Sequence, residues 1–395
     1  MTDETQHGVV LIIGCEPAAF AACLELTQRG LGVLHVYPTP LGLTGSPRDI
    51  GLAYPEPGEP FERLSHALGE EIAAEFYIWS RLGVLDIEQH FPDHLKRGSR
   101  LWVTRTESES KLAAADAVNR QNPPVNDECR LMSGAAASNY APLDGAHQAS
   151  FETHAIAFAP LQLLGEMKAR LEARPHYRAL EVAAGWDQLK VQRRGERIQA
   201  TLGEEVLAEG DLALVAAGYD TGRILDRFEK ILLPQPAQAF RSPPLKEKAR
   251  SSVVGITASW GFERYRFDDE FRLLGCGINP TSSTETLGEG VVDEETMRGL
   301  LARAAQLFTD FDGSTEQLMQ WAVQFAVTCD GLPLLGPLPG EPAIHVATGF
   351  SFSAWSRGWQ AGRVLAQAIA NPDNAPNTGL LGRCSTLRFL PRREA

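Results

Sequence analysis

A tight turn near the start of the chain carries the residues whose types and spacing are most suggestive of chemistry. Gly14, Glu16 and Ala19 follow directly after the apolar run Val9–Ile13. In a strand–turn–helix with three small residues at this spacing, the first allows the tight turn, the second lets backbone approach a phosphate, and the third lets the helix pack closely. Helix N-termini bind anions through free N–H groups. The turn therefore predicts a phosphate site for a dinucleotide, with Glu16 at the second position, where its carboxylate would also suit an unliganded helix start.

The flanking elements form a βαβ unit. Residues 17–28 show apolar spacing typical of a helix, and residues 33–37 form a second apolar strand. In dinucleotide-binding folds the second strand ends in an acidic residue that accepts from ribose hydroxyls. Here that place is held by Tyr37, whose single hydroxyl offers one such contact.

The remaining pattern predicts a mixed α/β fold, α+β overall, with a Rossmann-like domain and a large antiparallel sheet. Residues 211–218 read as a buried strand that ends in glycine, which suits a central parallel sheet. The other predicted elements are helices at 62–82, 158–171, 293–308 and 354–370, antiparallel strands within 180–201, a β-rich block at 240–277, a strand at 343–347, and loops at 39–60, 119–126 and 133–148.

Composition limits the classes of function. The chain has 395 residues with a net charge of −13, which disfavours nucleic acid or an anionic membrane as partner. Its six cysteines include no CxxC pair, so neither a disulfide framework nor a zinc site is indicated. The N-terminal residues lack a basic region ahead of the apolar run, and we find no run long enough for a membrane span. We therefore expect a cytoplasmic protein.

Four motifs in the same order resemble the FAD-dependent amine and amino-acid oxidoreductases, the family of glycine oxidase, sarcosine oxidase and D-amino acid oxidase. The longest is CDGLPLLGPLPG at 329–340, followed by IHVATG at 344–349. Shorter ones are GSPRDIG at 45–51 and VAAG at 215–218. The resemblance implies a discontinuous FAD-binding domain at 1–85, 150–225 and 329–395, and a substrate domain at 86–149 and 226–328.

The resemblance also implies a cofactor path and a reaction. FAD would receive a hydride as a C–N bond of a small amine or amino-acid derivative is oxidised, with the protein positioning both groups. The residues implied to line FAD are Gly14, Cys15, Glu16, Pro17, Ala18, Ala19, Tyr37, Ser46, Arg48, Asp49, Ile50, Gly51, Val182, Ala217, Gly218, Gly349, Phe350, Ser351, Phe352 and Ser353.

Three residues are candidates for contact with substrate or flavin. Tyr265 and Arg266 lie on a predicted strand where relatives point a tyrosine at the ligand, and adjacent residues of a strand face opposite sides. Arg357 lies where a cation would stabilise reduced flavin. Where the relatives carry the arginine that clamps a substrate carboxylate, this chain has Phe325. Either the substrate is not a free α-amino acid, or another cation such as Arg266 binds it, or the reaction is absent.

The last alternative is a second hypothesis. A protein with Glu16 and Phe325 at these places could keep the oxidase fold without its redox chemistry. It would then act as a non-catalytic subunit beside a partner oxidoreductase, or bind a non-flavin ligand. The sequence predicts no metal site.

Overall fold

The structure is a computed structural model, and it describes residues 8–41, 45–55, 60–121, 125, 128–246, 251–278, 291–374 and 379–389. The strands, in chain order, are β1 (Val9–Ile13), β2 (Gly32–Pro38), β3 (Leu52–Ala53), β4 (Leu95–Thr104), β5 (Cys129–Ser133), β6 (Gln148–Phe158), β7 (Tyr177–Val182), β8 (Leu189–Arg194), β9 (Arg197–Leu202), β10 (Glu205–Gly210), β11 (Leu212–Val215), β12 (Leu232–Pro244), β13 (Gly255–Ala258), β14 (Glu263–Phe267), β15 (Arg272–Gly277), β16 (Met319–Thr328), β17 (Leu334–Leu338) and β18 (Glu341–Thr348). The helices are α1 (Pro17–Gln28), α2 (Phe61–Leu68), α3 (Glu70–His90), α4 (Glu107–Gln121), α5 (Gly134–Ala137), α6 (Pro160–Glu172), α7 (Thr221–Ile224), α8 (Glu294–Leu307), α9 (Trp359–Ala370) and α10 (Gly379–Arg383).

A six-stranded sheet in the order β17-β18-β11-β1-β2-β7 forms the first layer. Every neighbouring pair from β18 to β7 is parallel, and only β17 runs antiparallel at the edge. Its strands are apolar on both faces because helices cover one side and the β8–β10 sheet lies on the other. The carboxyl ends of β1, β2 and β11 meet at one edge, where parallel α/β sheets bind ligands.

A nine-stranded mixed sheet forms the second large unit. Its order is β16-β12-β15-β14-β13-β4-β6-β3, with β5 paired to β6. Its outer face packs on α8 through a core that contains Phe240, Tyr265 and Phe308. Its inner face carries Phe325 and Cys276 toward the loop after β2. The predicted mixed α/β fold, with a Rossmann-like sheet and a second, larger sheet, is confirmed, and the larger sheet is antiparallel except between β4 and β13.

A network of buried ion pairs lies between α4 and the large sheet. Glu152 of β6 accepts hydrogen bonds from Arg100 of β4 and, at 2.8 Å, from Arg120 of α4. All three side chains are almost fully buried. Arg120 also pairs with Asp116, one turn earlier in α4. This side of α4 is thus charged rather than apolar, which removes the stripe by which a helix is recognised in sequence.

The structure corrects two expectations about elements. The helix expected over 62–82 is two helices, because Gly69 adopts φ +88° between α2 and α3. The loop expected at 119–126 begins inside α4, and residues 122–124 and 126–127 lie outside the described part of the chain.

Two features are absent from the described residues. No group of His, Cys, Asp and Glu there could hold a metal ion. Nor does any described helix combine the length and hydropathy that a membrane crossing requires.

Candidate functional site

The site is built around the turn that links β1 to α1. Gly14 has φ +121°, and a Cβ at this position would lie 2.2 Å from the carbonyl oxygen of Ala216. Only glycine therefore fits between β1 and the end of β11. The neutral imidazole of His35 holds the Gly14 carbonyl through Nε2 at 2.7 Å, and burial lowers the pKa of His35 to about 4. The end of β11 and the hydrogen bond with His35 together fix the position of the turn.

The carboxylate of Glu16 fills the space in front of this turn. Its Oε1 accepts a hydrogen bond from the Ser46 backbone N–H at 3.1 Å. A Cβ built on Gly45 would lie 2.0 Å from the same oxygen, and one built on Gly218 would lie 2.8 Å from it. Two segments that are distant from Glu16 in sequence thus converge on its side chain, and the residue is 7% exposed. Glu16 occupies the place in which the turn predicts a phosphate.

Burial sets the charge of this carboxyl group. Removal from water raises the pKa of Glu16 to about 7, and the negative charges of Asp220 and Asp49 act in the same direction. The hydrogen bonds from Ser46 oppose this shift. Near neutral pH the group therefore exchanges between a neutral acid and a buried anion.

Glu16→Gln is expected to stabilise the protein at alkaline pH. The pKa of Glu16 is higher in the folded state, so the wild type loses stability as pH rises from about 4.5 through about 7. Glutamine keeps an acceptor for Ser46 and carries no charge. In urea unfolding, we expect the free energy of unfolding of Glu16→Gln to exceed that of the wild type by about 1–3 kcal/mol at pH 8, and we expect this difference to vanish near pH 4. Glu196→Gln, at an exposed turn, is the control, and a pH-independent difference at Glu16 would contradict the argument.

Tyr37 lies at the end of β2, as predicted, but its hydroxyl is engaged. It donates to Glu181 of β7 at 3.2 Å, and Glu181 also accepts from Lys168 of α6. The ring packs between Phe20 and His35. Burial raises the pKa of Tyr37 to about 12. The tyrosine therefore belongs to a network that joins β2, β7 and α6.

A buried ion pair lies on the far side of the Ser46 loop. Asp49 binds Arg264 of β14 through two hydrogen bonds of 2.8 and 3.0 Å, and both side chains are 0% exposed. The Arg264 guanidinium lies over the rings of Phe352, at 4.2 Å, and Phe325, at 5.6 Å. Sequence reasoning did not single out Arg264. No local signal identifies it, because its partner is 215 residues away.

The segment after β18 closes over the turn. Gly349 has φ +81°, and Thr348 Oγ1 donates to the Gly218 carbonyl at 2.7 Å. Trp355, which lies in a π-helical turn at 354–358, donates from Nε1 to the Ser46 carbonyl at 3.1 Å. Its indole also packs edge-on against Phe158. The segment thus packs directly on the loop that contains Ser46.

One small space borders Glu16 among the described residues, and we call it the nucleotide cleft. It lies between Glu16, Ser46, Gly218 and the segment from Ala347 to Ala354, with Phe325 and Ala326 at its end. Its volume is about 10 Å³. That is about the room of one water molecule, whereas pockets for organic ligands measure roughly 300–1,000 Å³.

None of the three predicted catalytic residues lines this cleft. Tyr265 is fully buried in the core beneath α8, where its hydroxyl donates to Glu263 at 2.8 Å. Arg357 packs over the ring of Phe76 in α3. Strand alternation sends Arg266, the neighbour of Tyr265, to the opposite face, where it lines a larger cavity. The Tyr265 and Arg357 side chains both contact other protein residues, and their roles toward substrate or flavin stay predictions.

The predicted cofactor contacts divide into three groups. Those brought together at the nucleotide cleft are Glu16, Ser46, Gly218, Gly349, Phe350 and Ser351. Those that line the larger cavity are Arg48, Asp49 and Ile50. Those placed in the surrounding packing are Gly14, Cys15, Pro17, Ala18, Ala19, Tyr37, Gly51, Val182, Ala217, Phe352 and Ser353.

Comparison with known proteins gives a consistent picture. The family described as "DAO: FAD dependent oxidoreductase" matches residues 10–368. Glycine oxidase from Geobacillus kaustophilus superposes with TM-score 0.73 at 17% identity, over 98% of this chain and 100% of that one. L-proline dehydrogenase from P. horikoshii gives 0.73 at 15% identity, over 94% and 96%. L-amino acid deaminase from Proteus vulgaris gives 0.70 at 13%, over 97% of each chain. No curated protein sequence matches the chain.

Proposed function

Because this chain belongs to the DAO family of FAD-dependent oxidoreductases, we propose that it oxidises a C–N bond of a small amine or amino-acid derivative. The predicted enzyme class and the predicted cofactor, FAD, are confirmed by the family. The finer reaction draws support from the fold, which is shared with proteins named for glycine, L-proline and L-amino acids. When bound, the flavin supplies the hydride acceptor. Under this proposal, segments 1–85, 150–225 and 329–395 bind FAD, and the remainder faces the substrate.

The described residues around Glu16 leave no room for a pyrophosphate as they are arranged. A nucleotide cleft of about 10 Å³ has no room for a dinucleotide, and the Glu16 carboxylate stands at the helix N-terminus where a pyrophosphate would bind. When Glu16 is ionised both groups are anions, so they exclude one another electrostatically as well as sterically. Binding of FAD therefore requires Glu16 and the segment 349–354 to move.

The inner face of the large sheet bears on the choice of substrate. Phe325 and Phe352 pack together at a centroid distance of 4.7 Å, with Arg264 beside them. The charge of Arg264 is already matched by Asp49. This combination offers an apolar surface rather than a free cation for a carboxylate. An amine or an amino-acid derivative whose carboxylate is blocked suits these residues better than a free α-amino acid.

The reaction is tested by anaerobic reduction of the protein after loading with FAD. Glycine, sarcosine, proline and benzylamine are added separately, and the visible band of bound flavin is followed. We expect benzylamine to bleach the band faster than the three carboxylates do. A stable flavin complex that none of the four bleaches would contradict C–N oxidation of these classes without questioning the family.

The closed nucleotide cleft also favours a second function. The Glu16 carboxyl group fills the space in front of the β1–α1 turn, and a buried ion pair and two aromatic rings lie beyond the Ser46 loop. Such a chain could retain the fold as a non-catalytic subunit of a partner oxidoreductase, or bind a non-flavin ligand. Failure to take up FAD under any condition would select this function over the first.

A further inference from the structure

A second cavity, which we call the arginine pocket, lies across the Ser46 loop from the nucleotide cleft. Its volume is about 620 Å³, and Arg48, Arg241 and Arg266 all line it. Arg241 on β12 and Arg266 on β14 are both register partners of Leu274 on β15. The two arginines therefore flank one residue on the same face of the sheet, with Cα atoms about 10 Å apart. Three guanidinium groups from a loop and two strands thus border one space.

Among the described residues, no carboxylate forms an ion pair with Arg241 or Arg266. The one acidic residue that lines the pocket, Asp49, is bound by Arg264. Among the described residues, Arg241 donates a hydrogen bond to Met319 Sδ at 2.6 Å, and Arg266 Nε donates one to the Ile50 carbonyl. Neither has a carboxylate within ion-pair distance in that part of the chain. This is unusual in a protein with a net charge of −13.

Two further carboxylates lie near Arg266 without entering the pocket. Asp268 and Asp269 follow β14 and line a different cavity. Asp269 forms an ion pair with Lys96, and Asp268 accepts hydrogen bonds from the backbone of the same turn. Burial lowers the pKa of Arg266, and the negative charges of Asp268, Asp49 and Asp269 oppose that shift without forming an ion pair with it.

The start of α6 adds positive potential to the same space. Residues 159–162 line the pocket, and the helix begins there with no side-chain cap at Ala159. The first-turn N–H groups of a 13-residue helix carry a partial positive charge. This end of α6 supports the arginines but would not by itself define a site.

The opposite wall of the pocket is apolar. Trp321 is held by a hydrogen bond from its Nε1 to the Arg48 carbonyl at 2.7 Å, and Met319 and Leu274 lie beside it. The Trp321 ring therefore has a fixed position next to the cationic groups. A flat or apolar body could lie against Trp321 while an oxyanion meets the guanidiniums.

We propose that the arginine pocket binds a small organic anion, with a carboxylate or phosphate on an aromatic or apolar body. The oxyanion is held by Arg241 and Arg266, assisted by Arg48 and the start of α6, and the body packs on Trp321. The site is separate from the nucleotide cleft, so its occupation does not require bound FAD.

Isothermal titration calorimetry at low salt tests this site, with phenylacetate, phenyl phosphate and benzylamine as probes. We expect at least one of the two anions to bind at one per chain and benzylamine to give no binding. Whichever anion binds more tightly identifies the preferred oxyanion. Arg241→Gln should weaken that binding by about tenfold or more, and Arg241→Lys should restore part of it. Arg193→Gln, which removes the same charge at an exposed hairpin, should have no effect.

A separate optical measurement covers the case in which a variant fails to fold. Anion binding should quench wild-type tryptophan fluorescence, and Trp321→Phe should abolish that quenching while heat is still released. Absence of binding by both anions to the folded wild type would overturn the proposal. So would equal binding to the wild type and to folded Arg241→Gln.

Discussion

Asp49→Ala is expected to lower the free energy of unfolding by about 3–5 kcal/mol. The substitution leaves the Arg264 guanidinium at 0% exposure without its carboxylate. An unpaired buried charge is far more costly than the loss of a surface ion pair. Urea unfolding at pH 7, followed by circular dichroism, measures the change.

A double-mutant cycle provides the control. Removal of both charges in Asp49→Ala/Arg264→Met leaves no uncompensated ion, so the double variant should be more stable than Asp49→Ala. As a surface comparison, Asp226→Ala removes a carboxylate from an exposed pair with Lys190 and should cost less than about 1 kcal/mol. A small effect of Asp49→Ala, similar to that of Asp226→Ala, would contradict the buried pairing.

Glu16→Gly is expected to tighten FAD binding by about tenfold to a hundredfold. The change removes a carboxylate that stands about where a pyrophosphate would, at the N-terminus of α1. It also frees the space that this side chain fills between Gly45 and Gly218. Quenching of flavin fluorescence during titration with protein gives the dissociation constant.

Glu16→Gln separates charge from volume in this experiment. Glutamine removes the negative charge but keeps the size of the side chain. The affinity of Glu16→Gln for FAD should therefore lie between those of the wild type and Glu16→Gly. Glu196→Gly serves as the charge-matched control away from the cleft. If Glu16→Gly bound FAD no better than Glu196→Gly, the carboxylate would not be what restricts the cleft.

Local patterns predicted the parts of the fold that depend on neighbouring residues. The β1–α1–β2 unit, α6, α8 and α9 were all recognised, because each carries an apolar stripe or run with a clear start. Helix α4 was missed because its buried positions include Ala113, Asp116, Ala117 and Arg120, which do not form an apolar stripe. Its buried face is instead matched by the ion pair of Arg120 with Glu152 of β6, which is made only in the folded protein.

The site could be predicted only in part, for a related reason. The phosphate turn and the unusual Glu16 were visible in sequence, since both depend on a few adjacent residues. Whether Tyr265 or Arg266 faces the ligand depends on strand register, which long-range pairing sets. The Asp49–Arg264 pair joins residues 215 positions apart, and nothing local marks either partner.

The most direct test of the whole account is the visible absorption spectrum of the purified protein with excess FAD, recorded at pH 6 and pH 8. As a member of an FAD-dependent family, the protein should bind about one flavin per chain. Uptake should be stronger at pH 6, where Glu16, with a pKa of about 7, is mostly neutral and no longer repels the pyrophosphate. A protein that stays colourless after removal of free FAD at both pH values would contradict the account and select the non-flavin function.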